Sequence, residues 1–173
     1  ITPAEGVIDH FQTATLETAD LPEGHFDLSY SFMVVEHVAD PDAFLAAVQR
    51  SLRPGGVHFF VTVNGHHYFA KLAKFMKTMK VEDAMLRVLR GKQTTDSYHY
   101  PVQYRMNRPE QISRLAASHG FEEPEYVFIE EDGPKPYLRG PLKPFWSAMM
   151  AKRRKIQNPR QLLTMYCRMR KQV

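Results

Sequence analysis

Two titratable side chains follow the end of a predicted strand. Residues 26–32 alternate apolar and polar positions at period two, which predicts a half-buried strand. Glu36 and His37 come shortly after it. Imidazole titrates near neutral pH, so His37 is a candidate general base, and Glu36 is a candidate to orient it or to bind a substrate. The alternative is that His37 only caps the turn after the strand.

A second polar group follows the next predicted strand. Residues 57–63 form a continuous apolar, β-branched run, which is typical of a strand buried on both faces of a parallel sheet. Asn64, His66 and His67 come directly after it. Because ligands of open α/β sheets bind beyond the carboxyl ends of the strands, we expect both groups to border one site. Adjacent histidines without a third ligand make a poor zinc site, so we interpret them as facing a substrate.

A helix and a tight turn connect these two strands. Asp40 supplies an N-cap and Pro41 the first helical residue, and apolar residues recur at helical spacing over 41–52. Pro54-Gly55-Gly56 ends this helix, because proline cannot continue it and glycine accepts positive φ. Strand, helix, turn and strand make one βαβ unit with parallel strands.

The rest of the chain predicts further elements of both kinds. These are a strand at 7–12, two helical pieces within 66–91, a loop at 93–108, a helix at 109–119 with a glycine cap, a strand at 125–130 and helices over 141–171. His99 and Tyr104 lie in the polar, aromatic loop and are candidates to cover a substrate pocket. Packing within the loop is the alternative for these rings.

Composition and charge exclude several classes of protein. Apolar residues make up 43% and charged residues 24%, which is ordinary for a globular chain, and no apolar stretch reaches the ~18 residues of a membrane span. The single cysteine, Cys167, excludes a disulfide framework and a thiolate zinc site, and we interpret it as structural. Together with the absence of a signal-peptide pattern, this predicts a cytoplasmic location.

The charge is distributed unevenly along the chain. All 19 acidic residues lie between Glu5 and Asp132, with 12 of the 23 basic residues, and the other 11 basic residues lie beyond residue 132. Within 141–157, apolar and cationic residues indicate either a helix at a membrane surface or a helix packed on the domain. The acidic body shows no nucleic-acid-binding signature, so we expect no nucleic-acid partner.

The block from residue 26 to residue 64 resembles the class I S-adenosylmethionine-dependent methyltransferases. The matching stretches, in order, are Phe26-Asp27-Leu28, Val34-Val35-Glu36-His37-Val38-Ala39-Asp40-Pro41, Leu52-Arg53-Pro54-Gly55-Gly56 and Thr62-Val63-Asn64. Further along, Tyr104-Arg105-Met106-Asn107, followed by Gly120-Phe121, is similar to a segment of members that methylate sugars, quinones and related small molecules. The resemblance covers residues 7 to 130.

This resemblance implies an α/β, Rossmann-like sheet, S-adenosylmethionine as cofactor and methyl transfer to a small molecule, with a hydroxyl oxygen as the expected acceptor. Residues 17–22 resemble the family's D-A-x-x-L-P stretch, which puts Glu17 on the adenine amino group and the backbone amide of Thr18 on the ring; a solvated loop acid is the alternative. The remaining expected roles are cofactor contacts for Met33 and Val34, catalysis for His37 and Glu36, and substrate contacts for Asn64, His66, His67, His99 and Tyr104.

The sequence departs from the family in one large respect. The family's first strand ends in a glycine-rich turn, but no two of these nine glycines are spaced G-x-G, and the acid that holds the ribose is absent as well. We therefore expect a sheet that is incomplete at its N-terminal side and binds the cofactor weakly or not at all on its own. Residues 1–132 are expected to form the C-terminal two-thirds of a methyltransferase domain, with an insertion at about 66–91, and residues 133–173 a basic helical extension.

A second function class stays open on the same observations. The alternative is a catalytically inactive, methyltransferase-like binding module whose basic tail contacts a membrane surface or a nucleic acid.

Overall fold

The computed structural model describes residues 6, 8–68, 70–71, 102–130, 144, 147–148, 151, 158 and 161–173. The strands and helices are β1 Phe26–Phe32, α1 Pro41–Ser51, β2 Leu52–Val63, α2 Pro109–Ser118, β3 Glu125–Ile129 and β4 Thr164–Arg170. The strands form one sheet in the order β1-β2-β4-β3, and both helices pack on the same face of it.

The predicted βαβ unit is confirmed. β1 and β2 pair in parallel, with Leu28 opposite Val57 and Phe32 opposite Val61. α1 begins where the sequence predicts it, because Asp40 Oδ1 accepts hydrogen bonds from two backbone N–H groups of the first turn, each at 3.1 Å. The two strands therefore end at the same edge of the sheet.

The end of α1 is held by the C-terminal segment. Lys171 Nζ donates to the carbonyl oxygens of Gln49, at 2.8 Å, and Leu52, at 2.7 Å. The turn predicted at 54–56 lies within β2, where the register against β1 shifts. The backbone of Lys171 also pairs with that of Gly55 and Gly56 there, and Gly55 has a φ of 76°. A positive φ is tolerated there because glycine has no Cβ.

Strand β4 corrects the sequence prediction. Helices were predicted over 141–171, but Thr164–Arg170 is a strand that pairs antiparallel with both β2 and β3. Met165, Cys167 and Met169 are buried in the core, while Tyr166 and Arg168 between them lie on the opposite face. This alternation at period two is the strand signal, which the cationic character of the segment obscured. This part of the basic extension therefore belongs to the same sheet as β1 and β2.

The strand predicted at 7–12 is wrong for the described residues 8–12. Gln12 instead closes a loop, because its side chain donates to the carbonyl oxygen of Asp20 at 2.9 Å and accepts from the Asp20 N–H at 3.2 Å. An isolated strand has no neighbour to satisfy its backbone groups, and β1 pairs only with β2 among the described strands.

The remaining predictions differ in how far they are tested. The helix at 109–119 and the strand at 125–130 are confirmed within one residue, and Gly120, at a φ of 71°, ends the helix as predicted. The helical prediction for 66–91 lies almost entirely outside the described residues, as does that for 141–157. No helix in the described ranges is long and apolar enough to cross a membrane.

The two faces of the sheet differ sharply in burial. The face under the helices carries the core, whose largest enclosed members include Phe60, Leu45, Leu52, Met106, Ile112 and Met165. On the other face Leu28, Tyr30 and Phe32 of β1 are 60%, 57% and 58% exposed. The outer edge of β1 has no strand beside it within the described part of the chain. This side of the sheet, the β1 edge and its three apolar side chains, is hereafter the open edge.

A histidine is buried in the core beside the open edge. His58 is 1% exposed, its ring packs against Phe44 and Phe60, and its Nδ1 lies 3.0 Å from Ser29 Oγ. Burial lowers the pKa of His58 from 6.5 to about 4, and the interaction with Ser29 opposes this only in part. The ring is therefore neutral in the folded protein at neutral pH.

This burial predicts a stability loss in mild acid. Above pH 6.5 His58 is neutral in both states, and as the pH falls towards 4 only the unfolded chain gains a proton, so folding becomes less favourable. The shift corresponds to about 3 kcal/mol over that range. We expect His58→Phe to reduce the loss by about 2 kcal/mol between about pH 7 and about pH 4.5, measured as the urea unfolding free energy, because pH 4.5 covers only part of the shift.

The surface histidine His25 provides the matched control, since His25→Phe makes the same exchange on an exposed ring. A His58→Phe variant that loses as much stability in acid as the unaltered protein would contradict the assignment.

Candidate functional site

The backbone is strained where the chain leaves β1. Met33 adopts a φ of 53°, while its N–H donates to the carbonyl oxygen of Val61 at 2.8 Å. A non-glycine residue in this left-handed region costs about 1–3 kcal/mol, and such residues concentrate at functional sites. The end of β1 is therefore a candidate site on backbone geometry alone.

Glu36 lies in the short 3-10 turn Val35–His37 directly after this point, and its carboxyl group faces β2. The residue is 5% exposed, and its Oε2 accepts a hydrogen bond from Thr62 Oγ1 at 2.9 Å. Burial raises the pKa of Glu36, whereas hydrogen bonds from its own backbone and from Thr62, and the charge of His37, lower it. The enclosed carboxyl group holds the turn against the strand, and His37 beside it is half-buried.

Asn107 extends this contact into a chain of three side chains. Its Nδ2 lies 3.2 Å from Thr62 Oγ1 and donates to the carbonyl oxygen of Val63 at 3.0 Å. Thr62 and Asn107 are 0% and 1% exposed. The sequence motifs T-x-N and Y-R-x-N contain both residues, but sequence reasoning gave neither a role.

The residues 102–108, hereafter the crossing segment, connect the two strand ends. The carbonyl oxygen of Glu36 accepts hydrogen bonds from the N–H groups of Gln103, at 2.7 Å, and Tyr104, at 3.1 Å. The N–H of Gly65, after β2, donates to the carbonyl oxygen of Asn107 at 2.7 Å. Tyr104 has a φ of 54°, the second left-handed non-glycine residue at this edge. The crossing segment is thus bound to the chain after β1 and to the chain after β2.

Asn64 and His66 are fixed in the turn after β2. Asn64 Nδ2 donates to the carbonyl oxygen of Leu162 at 2.8 Å, and its Oδ1 accepts from the His66 N–H at 2.9 Å. The half-buried His66 ring lies with its Nε2 2.9 Å from Glu110 Oε2, on the first turn of α2. Asn64 therefore acts within the frame of the site, and His66 joins this turn to α2.

His67 takes a different direction from His66. It is fully buried, its Nε2 lies 3.7 Å from Glu130 Oε1, and its ring packs against Tyr68 with centroids 4.1 Å apart. The two adjacent histidines thus do not share one surface. His99, the remaining predicted substrate residue, lies outside the described residues.

Two of the predicted cofactor residues lie in a tight turn. Glu17 is exposed, and the N–H of Thr18 donates to the carbonyl oxygen of Thr15 at 3.1 Å, so this amide is used within the turn in this conformation. Leu16 packs against the core and fixes the turn to the sheet. The carboxylate of Glu17 is available to a ligand, whereas the Thr18 amide becomes available only if the turn rearranges.

A cavity of about 390 Å³ runs beside the open edge. Its apolar lining includes Ala14, Leu16, Ala19, Leu21, Val34 and Phe44, and its polar lining includes Ser29, Ser31 and His58. Val34 is the one predicted cofactor residue that lines it, and residues on either side of Glu17 and Thr18 line it as well. No group of three metal-ligating side chains occurs in the described part of the chain.

The chain matches known proteins in sequence. Residues 2–60 match a family model described as a methyltransferase domain. Over 119 residues the chain is 32% identical to a ubiquinone biosynthesis O-methyltransferase of Rhizobium etli, an alignment that covers 69% of this chain and 43% of that protein. The chain therefore spans less than half the length of this curated relative.

Solved structures share the fold. A methyltransferase from Thermotoga maritima superimposes with a TM-score of 0.59 at 17% identity, covering 92% of this chain and 62% of that one. A second, from Methanosarcina mazei, gives a TM-score of 0.57 at 14% identity, covering 94% and 67%. Both structures are of S-adenosylmethionine-dependent methyltransferases, and the Rossmann-like α/β fold predicted from the sequence is confirmed.

The raised pKa of Glu36 predicts how its replacement affects stability. As the pH rises above the ordinary carboxyl value of 4.5, the unfolded chain loses this proton first, so the unaltered protein loses stability. Glu36→Gln keeps an accepting oxygen and removes the buried charge. We expect urea unfolding at about pH 4 and about pH 8 to show a smaller loss in this variant.

Glu23→Gln is the matched control, because the Glu23 side chain is 77% exposed. If Glu36→Gln loses as much stability with rising pH as the unaltered protein, the assignment of a raised pKa is wrong.

Proposed function

We propose that this chain is part of a class I S-adenosylmethionine-dependent methyltransferase, and that it forms the acceptor side of an enzyme that methylates a hydroxyl oxygen of a small molecule. The name of the Rhizobium relatives supports oxygen as the acceptor atom and a quinone precursor as the substrate, with a sugar as the alternative. The observation that carries the proposal is the crossing segment, which holds the His37 turn and Tyr104 together at the strand ends.

The proposed roles follow from exposure and hydrogen bonding. When bound, S-adenosylmethionine supplies a methyl group on a positively charged sulfur. His37 is half-buried rather than enclosed, so it takes the proton that the acceptor hydroxyl loses as its oxygen forms the new bond. We assign Tyr104 to the acceptor side because its N–H is bound to the carbonyl oxygen of Glu36, and the enclosed Glu36 orients the turn. Much of the rate then comes from holding the acceptor oxygen in line with the bond between the methyl carbon and the sulfur.

The residues present fit one end of the cofactor. The cavity beside the open edge offers apolar walls from Leu16, Leu21 and Val34 to a planar ring, and the exposed Glu17 stands close along the chain to receive an amino group. For the methionine end the sequence has no glycine pair spaced G-x-G. The proposed cofactor site therefore has a pocket for the nucleoside but lacks the second half, which would hold the methionine end.

We further propose that residues upstream of residue 1 supply that half by pairing with the open edge. An unpaired strand edge beside the exposed Leu28, Tyr30 and Phe32 is unusual for a finished sheet, because it invites pairing with other chains. The solved structures of the same fold have further chain, since the match covers 62% and 67% of them. The glycine-rich turn would come with the added strands.

Cofactor binding tests this arrangement. We expect isothermal titration with S-adenosylhomocysteine to show binding by a chain extended upstream and none by residues 1–173, because the methionine end lacks its turn. In the extended chain, Glu17→Ala should weaken affinity about tenfold, the value of one charge-assisted hydrogen bond. Glu23→Ala, on another exposed carboxylate, is the control. Tight binding by residues 1–173, or an unchanged affinity of the Glu17 variant, would overturn these assignments.

Catalysis tests the role of His37. In the extended chain, we expect His37→Gln to lower kcat for methyl transfer from radiolabelled S-adenosylmethionine to catechol by at least about 100-fold, because the general base is lost. The affinity for S-adenosylhomocysteine should stay unchanged. His25→Gln, at the surface, controls for the loss of an imidazole. A His37→Gln variant with undiminished kcat would remove this residue from catalysis.

A binding module remains the second candidate, and the absent G-x-G turn favours it. Its partner would be a membrane surface or a nucleic acid, met by basic residues beyond residue 132 other than Lys171 and Arg168, which bind the end of α1 and Glu125. Peripheral contact at the inner face of a membrane also suits the proposed enzyme in the cytoplasm, if its acceptor is a lipid-soluble quinone precursor. Methyl transfer by the extended chain separates the enzyme from the inactive module.

A further inference from the structure

Three polar side chains from separate parts of the chain meet inside the protein. Glu36 belongs to the turn after β1, Thr62 to the end of β2 and Asn107 to the crossing segment, and all three are at most 5% exposed. Burying polar groups costs free energy unless each finds a partner, and Asn107 Oδ1 has no hydrogen-bond partner in the structure. Apolar side chains of similar volume would pack there without that cost. Their presence therefore needs a reason beyond stability.

The hydrogen bonds of this group have a fixed direction. Asn107 Nδ2 can only donate, so Thr62 Oγ1 accepts from it at 3.2 Å. The single proton of the Thr62 hydroxyl then points at Glu36 Oε2, 2.9 Å away. Thr62 is the central member, and a side chain without a hydroxyl at this position breaks both contacts at once.

These contacts hold the crossing segment from two ends. Its first part is bound through the carbonyl oxygen of Glu36 to the N–H groups of Gln103 and Tyr104, and its last part through Asn107 to Thr62. Between the two attachments lies Tyr104 in its left-handed conformation. A strained residue persists only where its surroundings hold it, so these attachments are what maintains Tyr104 in place.

We infer that Thr62 and Asn107 are positioning residues for the acceptor pocket, which act through Glu36 on His37 and Tyr104. The inference rests on the proposed function, because it assigns the pocket to a methyl acceptor. Both side chains are fully enclosed, so we assign them no direct contact with the acceptor or the cofactor. Their effect is to fix the distance between His37, after β1, and Tyr104, on the crossing segment. The rate of methyl transfer depends on how precisely such groups are positioned.

Three threonine variants test the structural half on residues 1–173. Thr62→Val removes the hydroxyl at constant volume, Thr62→Ser keeps it, and Thr164→Val is the matched control. Thr164 is 1% exposed at the start of β4, pairs with Val63, and its Oγ1 has no hydrogen-bond partner in the structure.

Nuclear magnetic resonance detects the hydrogen bond between Thr62 and Glu36. The Thr62 hydrogen bond lowers the pKa of Glu36, so Thr62→Val should raise it further, seen in a titration of the ¹³C-labelled carboxyl group. Hydrogen exchange of the Gln103 and Tyr104 amides should quicken at least about tenfold. Thr62→Ser should restore both, and Thr164→Val should change neither. If Thr62→Val and Thr164→Val behave alike, the positioning role is wrong.

Kinetics of the chain extended upstream, with catechol as acceptor, test the functional half. We expect Thr62→Val and Asn107→Leu to lower kcat/KM for the acceptor about tenfold, with the affinity for S-adenosylhomocysteine unchanged, and Thr62→Ser to recover most of it. Equal losses on the cofactor and acceptor sides would overturn the inference. If the unaltered enzyme transfers no methyl group, the proposed function fails, and the spectroscopic result decides by itself whether Thr62 positions the crossing segment.

Discussion

β1 and β2 run in the same direction with Phe32 opposite Val61, so the chain leaves both strands at one edge of the sheet. Every contact of the candidate site depends on this pairing. It puts the turn after β1 beside Thr62 of β2, within reach of a side-chain hydrogen bond. It also leaves room above the strand ends for the crossing segment, which satisfies backbone groups on both sides. Antiparallel strands would have sent these residues to opposite ends of the sheet.

The two halves of the proposed site differ in how far they are enclosed. On the acceptor side, Glu36, Thr62 and Asn107 are buried and joined by side-chain hydrogen bonds, although Asn107 Oδ1 has no hydrogen-bond partner in the structure. On the cofactor side, Leu28, Tyr30 and Phe32 are exposed, and β1 has no second neighbouring strand within the described part of the chain.

Local signals made much of the fold predictable from sequence. Asp40 and Pro41 predict the start of α1, Gly120 predicts the end of α2, and the alternation over 26–32 predicts β1. Each of these signals depends only on residues that are neighbours in the sequence. The site was predictable as a place, since it follows from where parallel strands end. Its side-chain network was not, because Asn107 and Thr62 are 45 residues apart and only tertiary structure joins them.

The two wrong predictions, a helix over 164–170 and a strand over 8–12, also have physical causes. Strand β4 carries methionine, cysteine and arginine, which strands and helices both accept, so its period-two pattern was outweighed by its charge. Residues 8–12 carry a strand-like composition but have no neighbouring strand in the structure, and composition alone does not supply a pairing partner.

The position of β4 has a consequence for biosynthesis. This strand lies between β2 and β3 although it follows both along the chain, and its neighbour Lys171 caps the end of α1. Until β4 has been synthesised, the edges of β2 and β3 that it joins have no hydrogen-bonding partner strand. Cys167, which pairs with Phe60 on one side and Tyr126 on the other, is among the last residues to be added. The sheet therefore cannot form completely until residue 171 has been translated, and before then its unpaired edges are open to aggregation and to chaperone binding.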